Sequence, residues 1–394
     1  MTQHTADPSK PHALIERASR CQCGQPIFFG NSVCLACGAA IGYDPDRARL
    51  MSLEPGDAPG TWQRWIAGGS NTADNPGMPT QYRRCANLAT PAACNWLLAA
   101  EPAGAGSFTF CRACRLNRTI PALSDPAHPD NGELWGRIEQ SKRRLISALI
   151  ALGLPVASRV SEDPERGMMF DFLRGHVGEA AVMTGHGNGL ITLNIEEADD
   201  AVREAARKAM HEPYRTLLGH LRHEVGHYYW DRLVDGTDWL AGFHELFGDE
   251  TLDYANSLKR HYELGARPDW QRNFVSAYAS SHPWEDWAEC WAHYLHMRDT
   301  VDTALNFGLD LENSRIEIMP FPANALYRPD DADAAPFLLL VNGWIRLNAL
   351  LNEMSRSMGQ SDFYPFVLSA AVVAKLQFID MVVGDRAHAA MSPA

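Results

Sequence analysis

The stretch His223-Glu224-Val225-Gly226-His227 sets two imidazoles and a carboxylate at the spacing that metal-assisted hydrolysis requires. On a helix, residues four apart stack on one face, so His223 and His227 aim two nitrogens at one point. Glu224 then sits at the edge of that face, within reach of a water on the metal but not a ligand itself. A helix is expected from Glu212-Pro213 to Val234, because proline is tolerated at the first helical position. Leu217, Leu221, Val225 and Tyr228 recur along it at helical spacing, nearly opposite the histidines. One side should pack while the other lines a cleft.

A hydrolytic zinc keeps three protein ligands and an open position. The next stretch able to supply the third runs from Glu285 to His296, where Glu285, Ala288, Glu289, Ala292 and His296 share a helical face. The alanines let a second helix come close. Burying the carboxylates there is costly unless a cation meets them. With Pro283 in the first helical position, Glu285 falls in the first turn and is the preferred third ligand; the competing reading is compensation of the helix dipole. Glu289, one turn deeper, would accept a hydrogen bond from a ligand histidine or hold the two helices together. Asp238, in an Asp-Gly-Thr-Asp turn, is the runner-up ligand. Asp231 either orients an imidazole or lies on the helix surface, His220 either flanks the cleft or, the preferred reading, is a surface histidine, and Cys290 reads as packed.

Eight of the nine cysteines precede residue 115, in two groups: Cys21, Cys23, Cys34 and Cys37, then Cys85, Cys94, Cys111 and Cys114. Each offers four sulfurs, enough for a closed tetrahedral site, and all-thiolate sites with no open position are structural zinc. Ligands could still interleave between the groups. The expected cofactor is Zn2+, one catalytic ion and two structural ones.

The 394 residues suffice for two or three domains, and 46% apolar residues suit a folded chain. No run approaches the length of a membrane span, and MTQHTADPSKPHALIERASR lacks the profile of a secretion signal. The cysteines therefore read as metal ligands in a reducing compartment, and the expected location is cytoplasmic. Net charge is −13; residues 1–120 hold 11 Lys/Arg against 8 Asp/Glu, a net of +3 that leaves −16 to the remainder. So weak a local positive charge gives no basis for nucleic-acid binding, and no membrane partner is expected.

Residues 42–82 show no clear periodicity and read as mostly loop, and Pro121 to Asn131 as a linker. Leu134 to Leu152 is helical, with Lys142-Arg143-Arg144 as a solvated face. Phe170 to Leu173 and Ala181 to Asn194 look like strands, the second with a glycine-rich turn. Residues 186–194 are either a core strand or an edge to which an extended peptide adds. After Asp199 come the histidine helix, an acidic helix from His244 to Glu263, a connection carrying Tyr278, and apolar stretches from Pro336 to Met358 and Tyr364 to Val383 that form a helical cap.

The combination HEVGHYYW, acidic helix, VSAYASSHPWEDWAECWAHYLH, the CxCG…CLxCG start and RSMGQSDFYPFVLS resembles bacterial zinc-binding metallopeptidases with an N-terminal zinc-ribbon region. The glutamate helix also resembles that of lethal-factor-type gluzincins, E-x-x-A-E-x-aromatic. That resemblance implies zinc binding by Glu285 and a catalytic role for Tyr278, seven residues earlier. The fold class expected is α+β: a predominantly helical zincin-like domain at 134–310 behind a cysteine-rich zinc-ribbon domain at 1–120 and a linker at 121–133, with a C-terminal helical region at 311–394. The function implied is a zinc peptidase acting on peptide or protein substrates, with Glu224 as general base. The alternative is a zinc-ribbon interaction module whose zincin part turns over little or nothing.

Overall fold

Between the two cysteine groups the chain runs in short strands where a loop was expected. The structure is a computed structural model describing residues 17–67, 79–100, 108–175, 182, 184–210, 212–309, 311 and 316–391. The stretch up to residue 16, read above for a secretion signal, lies outside the described residues, as do 68–78 within the expected loop and Ala181 within the expected strands. By its contacts the chain divides into two units, Met1–Gly185 with Gly189–Arg203, and His186–Asn188 with Glu204–Ala394.

In the first unit, β1 (Ser19–Arg20) pairs antiparallel with β2 (Pro26–Ile27). Then β3 (Ala40–Asp44), β4 (Arg49–Pro55), β5 (Trp62–Arg64), β6 (Gln81–Arg84) and β7 (Leu97–Ala99) form an antiparallel sheet in sequence order. Met51, Leu53, Tyr82 and Leu97 make its core, with Trp62 against them. The period-two signal is missing because Leu50 to Leu53 are buried at consecutive positions, not on alternate ones. Four further strands follow. β9 (Met169–Leu173) lies between β8 (Asn117–Thr119) and β11 (Leu190–Asn194), parallel to both. Residues 186–194 are not one edge strand: β10 (Gly185–Gly187) and β11 are separate, joined by left-handed Asn188 and Gly189, and one flank of β11 is taken by β9.

Helix α1 (Asn131–Ala151) corrects the solvated basic face. Lys142 and Glu139 are both 0% exposed, with Lys142 Nζ 2.7 Å from Glu139 Oε1, and Arg143 is buried beside them. Lys142 also donates to Asn117 Oδ1, and Glu139 Oε2 lies 3.8 Å from Cys114 Sγ. The lysine faces inward because it is one helical turn from a buried acid. Lys142→Met should therefore take from Glu139 the nearer of its two cations, Arg143 standing 3.9 Å away, and cost on the order of 3 kcal/mol, read as a lower urea midpoint in zinc-loaded protein. Arg144→Met, at the partly exposed neighbour, should cost far less.

In the second unit the histidine helix α3 begins at Leu217, after α2 (Asp200–Ala209), and runs to Leu233. Pro213 stands ahead of it. The start is fixed by Thr216, whose hydroxyl accepts from the Gly219 amide at 3.0 Å and satisfies a first-turn donor. The acidic stretch is two helices, α4 (Leu240–Leu246) and α5 (Tyr254–Leu264). Gly248, at φ 107°, ends the first, and Asp253 caps the second. The glutamate helix α6 (Pro283–Asn306) packs along α3, and α7 (Ala334–Ser357) and α8 (Ala370–Met391) pack on α6. Helix α7 corrects the statement on membrane length: an 18-residue window reaches a mean hydropathy of 1.4, with 44% of it buried inside the protein. Its apolar content serves packing on α6 and α8. The whole is α+β, with eight α-helices among the described residues and the cysteine-rich part first.

Candidate metal centre

The cysteines do not interleave. Cys21, Cys23, Cys34 and Cys37 bring their sulfurs within 4.8 Å of one another, and Cys85, Cys94, Cys111 and Cys114 do the same. Sulfur pairs stand 3.6 Å apart in Cys21–Cys37, 3.8 Å in Cys23–Cys34 and 3.6 Å in Cys94–Cys111. A tetrahedron with Zn–S arms of about 2.3 Å has an edge of about 3.8 Å, so both foursomes have the dimensions of a zinc site. Gly24 and Gly38 take positive φ just after Cys23 and Cys37, turning the backbone as the knuckle needs. Cys23 and Cys37 are exposed, whereas all four residues of the second site are buried.

The two histidine positions and the glutamate helix meet as a third group, His223, His227 and Glu285, again within 4.8 Å. Close approach of α3 and α6 makes this possible. A Cβ added at Gly226 would stand 3.0 Å from Ala288 Cα, so the glycine and the alanine face each other where the helices cross. Three polar ties fix the crossing. Trp287 Nε1 donates to Gly226 O at 2.9 Å, and Arg222 donates from Nη1 to His296 Nδ1 at 2.6 Å and from Nη2 to Asp299 Oδ2 at 2.8 Å. Burial and then the Arg222 charge hold His296 well below its ordinary pKa, so its ring is the neutral acceptor that arginine needs.

His223 Nε2 lies 3.0 Å from Glu285 Oε2, and His227 Nε2 lies 3.6 Å from Glu285 Oε1. The first of these is close to the roughly 3.3 Å edge of a tetrahedron with arms of 2.0–2.1 Å. Oε2 of Glu285 is buried and receives no hydrogen bond. A buried carboxylate oxygen without a donor is costly; between two imidazoles it fits a cation. Burial would raise the Glu285 carboxyl, but the His227 and His223 rings outweigh that and hold it well below its usual range. Burial likewise opposes charge on His223, and Glu285 and Glu289, on its two nitrogens, override it and raise the ring well above normal. The pocket thus draws positive charge, and two imidazoles with one carboxylate form the donor set of a hydrolytic zinc.

Glu289 stands one turn deeper, with Oε1 2.8 Å from His223 Nδ1 and Oε2 accepting from Ser276 Oγ at 2.6 Å. A carboxylate only accepts, so Nδ1 carries a proton, and the lone pair of the neutral ring belongs to Nε2. Glu224 is not among the converging donors. It is buried, with Oε1 3.4 Å from His220 Nε2, which removes His220 from the surface-histidine class. Burial works to raise its carboxyl, and His220 followed by His223 reverses the sign, leaving an ionised base.

Tyr278 lies in a single 3-10 turn, its ring 5.9 Å from that of His223. Asp238 is exposed and outside the group. Asp231 does not pair with a ligand imidazole; its Oδ2 is 3.9 Å from His186 Nε2. Cys290 is buried, 3.6 Å from Asp286 Oδ1. Sequence reasoning missed Ser276, Trp284, whose ring lies 4.1 Å from that of His227, and Tyr254, whose hydroxyl donates to Glu285 Oε1. Trp284 was legible as the neighbour of Glu285. Tyr254 carried no signal, because only the α4–α5 break turns it toward the site.

A family model described as "Putative zinc-binding metallo-peptidase" matches residues 131–382, and a zinc-ribbon domain model matches residues 18–125. The chain belongs to that metallopeptidase family, with a zinc ribbon ahead of the family region. Uncharacterised proteins of Mycobacterium tuberculosis and Mycobacterium bovis are each 42% identical to it over 364 residues, 92% of this chain and 94% of the relative. No solved structure matches the chain.

Proposed function

We propose that the protein is a zinc-dependent peptidase of gluzincin type, with His223, His227 and Glu285 as ligands and Glu224 as general base. The observation that carries this is the convergence of three N and O donors on a buried carboxylate oxygen without a hydrogen bond, with Glu224 held beside them outside the set. Zinc bound there would act as a Lewis acid, polarising a peptide carbonyl and acidifying a water. Glu224 takes the proton as the water oxygen attacks the carbonyl carbon, then delivers it to the amine as the C–N bond breaks. Glu289 keeps the Nε2 lone pair of His223 directed into the site. Tyr278 donates its O–H to the oxyanion that develops; the proximity of its ring to His223 supports that role. The substrate is a peptide or protein. Thiol-rich zinc sites suit a reducing interior, so the proposed location is cytoplasmic.

Metal analysis of fresh protein should give about three zinc ions per chain, two of them in the cysteine sites. A mild chelator should remove the third first, since it has fewer protein ligands, and abolish hydrolysis of a peptide library; added zinc should restore it. Protein with three ions that cleaves nothing in the library would end the peptidase reading.

A further inference from the structure

Glu285 is held by more than its own helix. His282 caps α6, its Nδ1 accepting from the Trp284 amide at 3.1 Å. The ring nitrogen opposite therefore carries the proton, and Nε2 donates to the Leu252 carbonyl at 3.1 Å. One imidazole thus fastens the segment ahead of α5 to the first turn of α6. Two residues after Leu252 stands Tyr254, its ring 5.2 Å from that of His282 and 5.9 Å from that of Trp284. Its hydroxyl reaches Glu285 Oε1.

This tyrosine is not a core residue. It is 38% exposed, and no residue of α5 is buried. Among the described residues its hydroxyl bonds the carboxylate at the site. The two oxygens of Glu285 are consequently unlike: Oε1, 3.6 Å from His227 Nε2, accepts from Tyr254, while Oε2 is buried, 3.0 Å from His223 Nε2, with no hydrogen bond. Zinc in a hydrolytic site takes three protein donors and leaves one place open. A carboxylate presenting both oxygens beside two imidazoles would fill that place.

We propose that Tyr254 is a positioning residue that makes Glu285 a one-oxygen ligand: its hydroxyl engages Oε1, so only Oε2 is presented to the ion and the fourth place stays open. The proposal rests on the metal-centre assignment above.

The test compares full-length wild type, Tyr254→Phe and Tyr278→Phe with zinc retained in the cysteine sites. Chelator competition should show the third site binding zinc roughly 10–100-fold more weakly in Tyr254→Phe and unchanged in Tyr278→Phe. Cobalt loaded into that site alone should give a four-coordinate absorption spectrum in wild type and a weaker, five-coordinate one in Tyr254→Phe. The unfolding midpoint of protein lacking the third ion should match wild type, since phenylalanine removes one oxygen from a half-exposed ring. Wild-type zinc affinity in Tyr254→Phe overturns the proposal. A loss of affinity with an unchanged cobalt spectrum, or with a lowered midpoint, also overturns it. Wild type that binds no ion at the third site ends both this proposal and the peptidase reading. Wild type that binds zinc and hydrolyses nothing ends only the latter, because affinity and spectrum still report on Tyr254.

Discussion

Glu224→Gln should keep its zinc and lose hydrolysis by about 10²–10⁴-fold, the range general-base catalysis contributes. The substitution preserves size and hydrogen-bonding capacity but not the ability to take a proton at neutral pH. In the proposed mechanism Glu224 makes that transfer. Glu224 is buried on α3, one position beyond His223, and His220 and His223 keep its carboxyl ionised against burial. Because Glu224 is outside the converging donors, its loss should not empty the pocket. Metal content and peptide-library turnover, measured together, decide the matter. Undiminished cleavage removes the mechanism, and loss of zinc with activity makes Glu224 a ligand.

Exchanging the two glutamates of α6 separately should give the second large effect, and in a fixed order. Glu285→Ala removes the carboxylate that faces Nε2 of both imidazoles and should empty the third site while both cysteine sites stay filled. Glu289→Ala removes the acceptor of His223 Nδ1 and of Ser276, so the imidazole loses its fixed tautomer but not its nitrogen. Loss of such an outer partner weakens metal affinity by roughly 10–100-fold. The site should therefore refill at high zinc, with reduced activity. Isothermal titration of zinc into each variant reads both results. The opposite order would make Glu289 the ligand and shift the functional face of α6 by one turn.

Both glutamates were legible because helical spacing places them on one face and costs rule out burying them alone. The histidine pair needed no tertiary information. What escaped the sequence were contacts made by chain that is not regular. Tyr254 reaches Glu285 only because Gly248 and Asp253 break an apparently continuous acidic helix. Ser276 reaches Glu289 from the loop before α6. The strands between the cysteine groups were unreadable for another reason: they are three to seven residues long and partly buried on both faces, so periodicity had too few positions to appear. Lys142 shows the limit of charge patterning. Three consecutive cations look solvated until a carboxylate one turn away is found to be buried with them.

Lys375 on α8 donates to Asp286 Oδ2 at 2.6 Å and to the Asn273 carbonyl at 2.7 Å. It thereby clasps the first turn of α6 and the loop leading to Tyr278, and this clasp sets an order of assembly during synthesis. Chains emerge N-terminus first, so both cysteine foursomes are complete once Cys114 has cleared the ribosome and can load zinc while the rest is still being made. The proposed hydrolytic pocket gains this clasp only once Lys375 of α8 has been made. A polypeptide that stops short of α8 would therefore have both cysteine foursomes complete and the proposed peptidase site still unclasped.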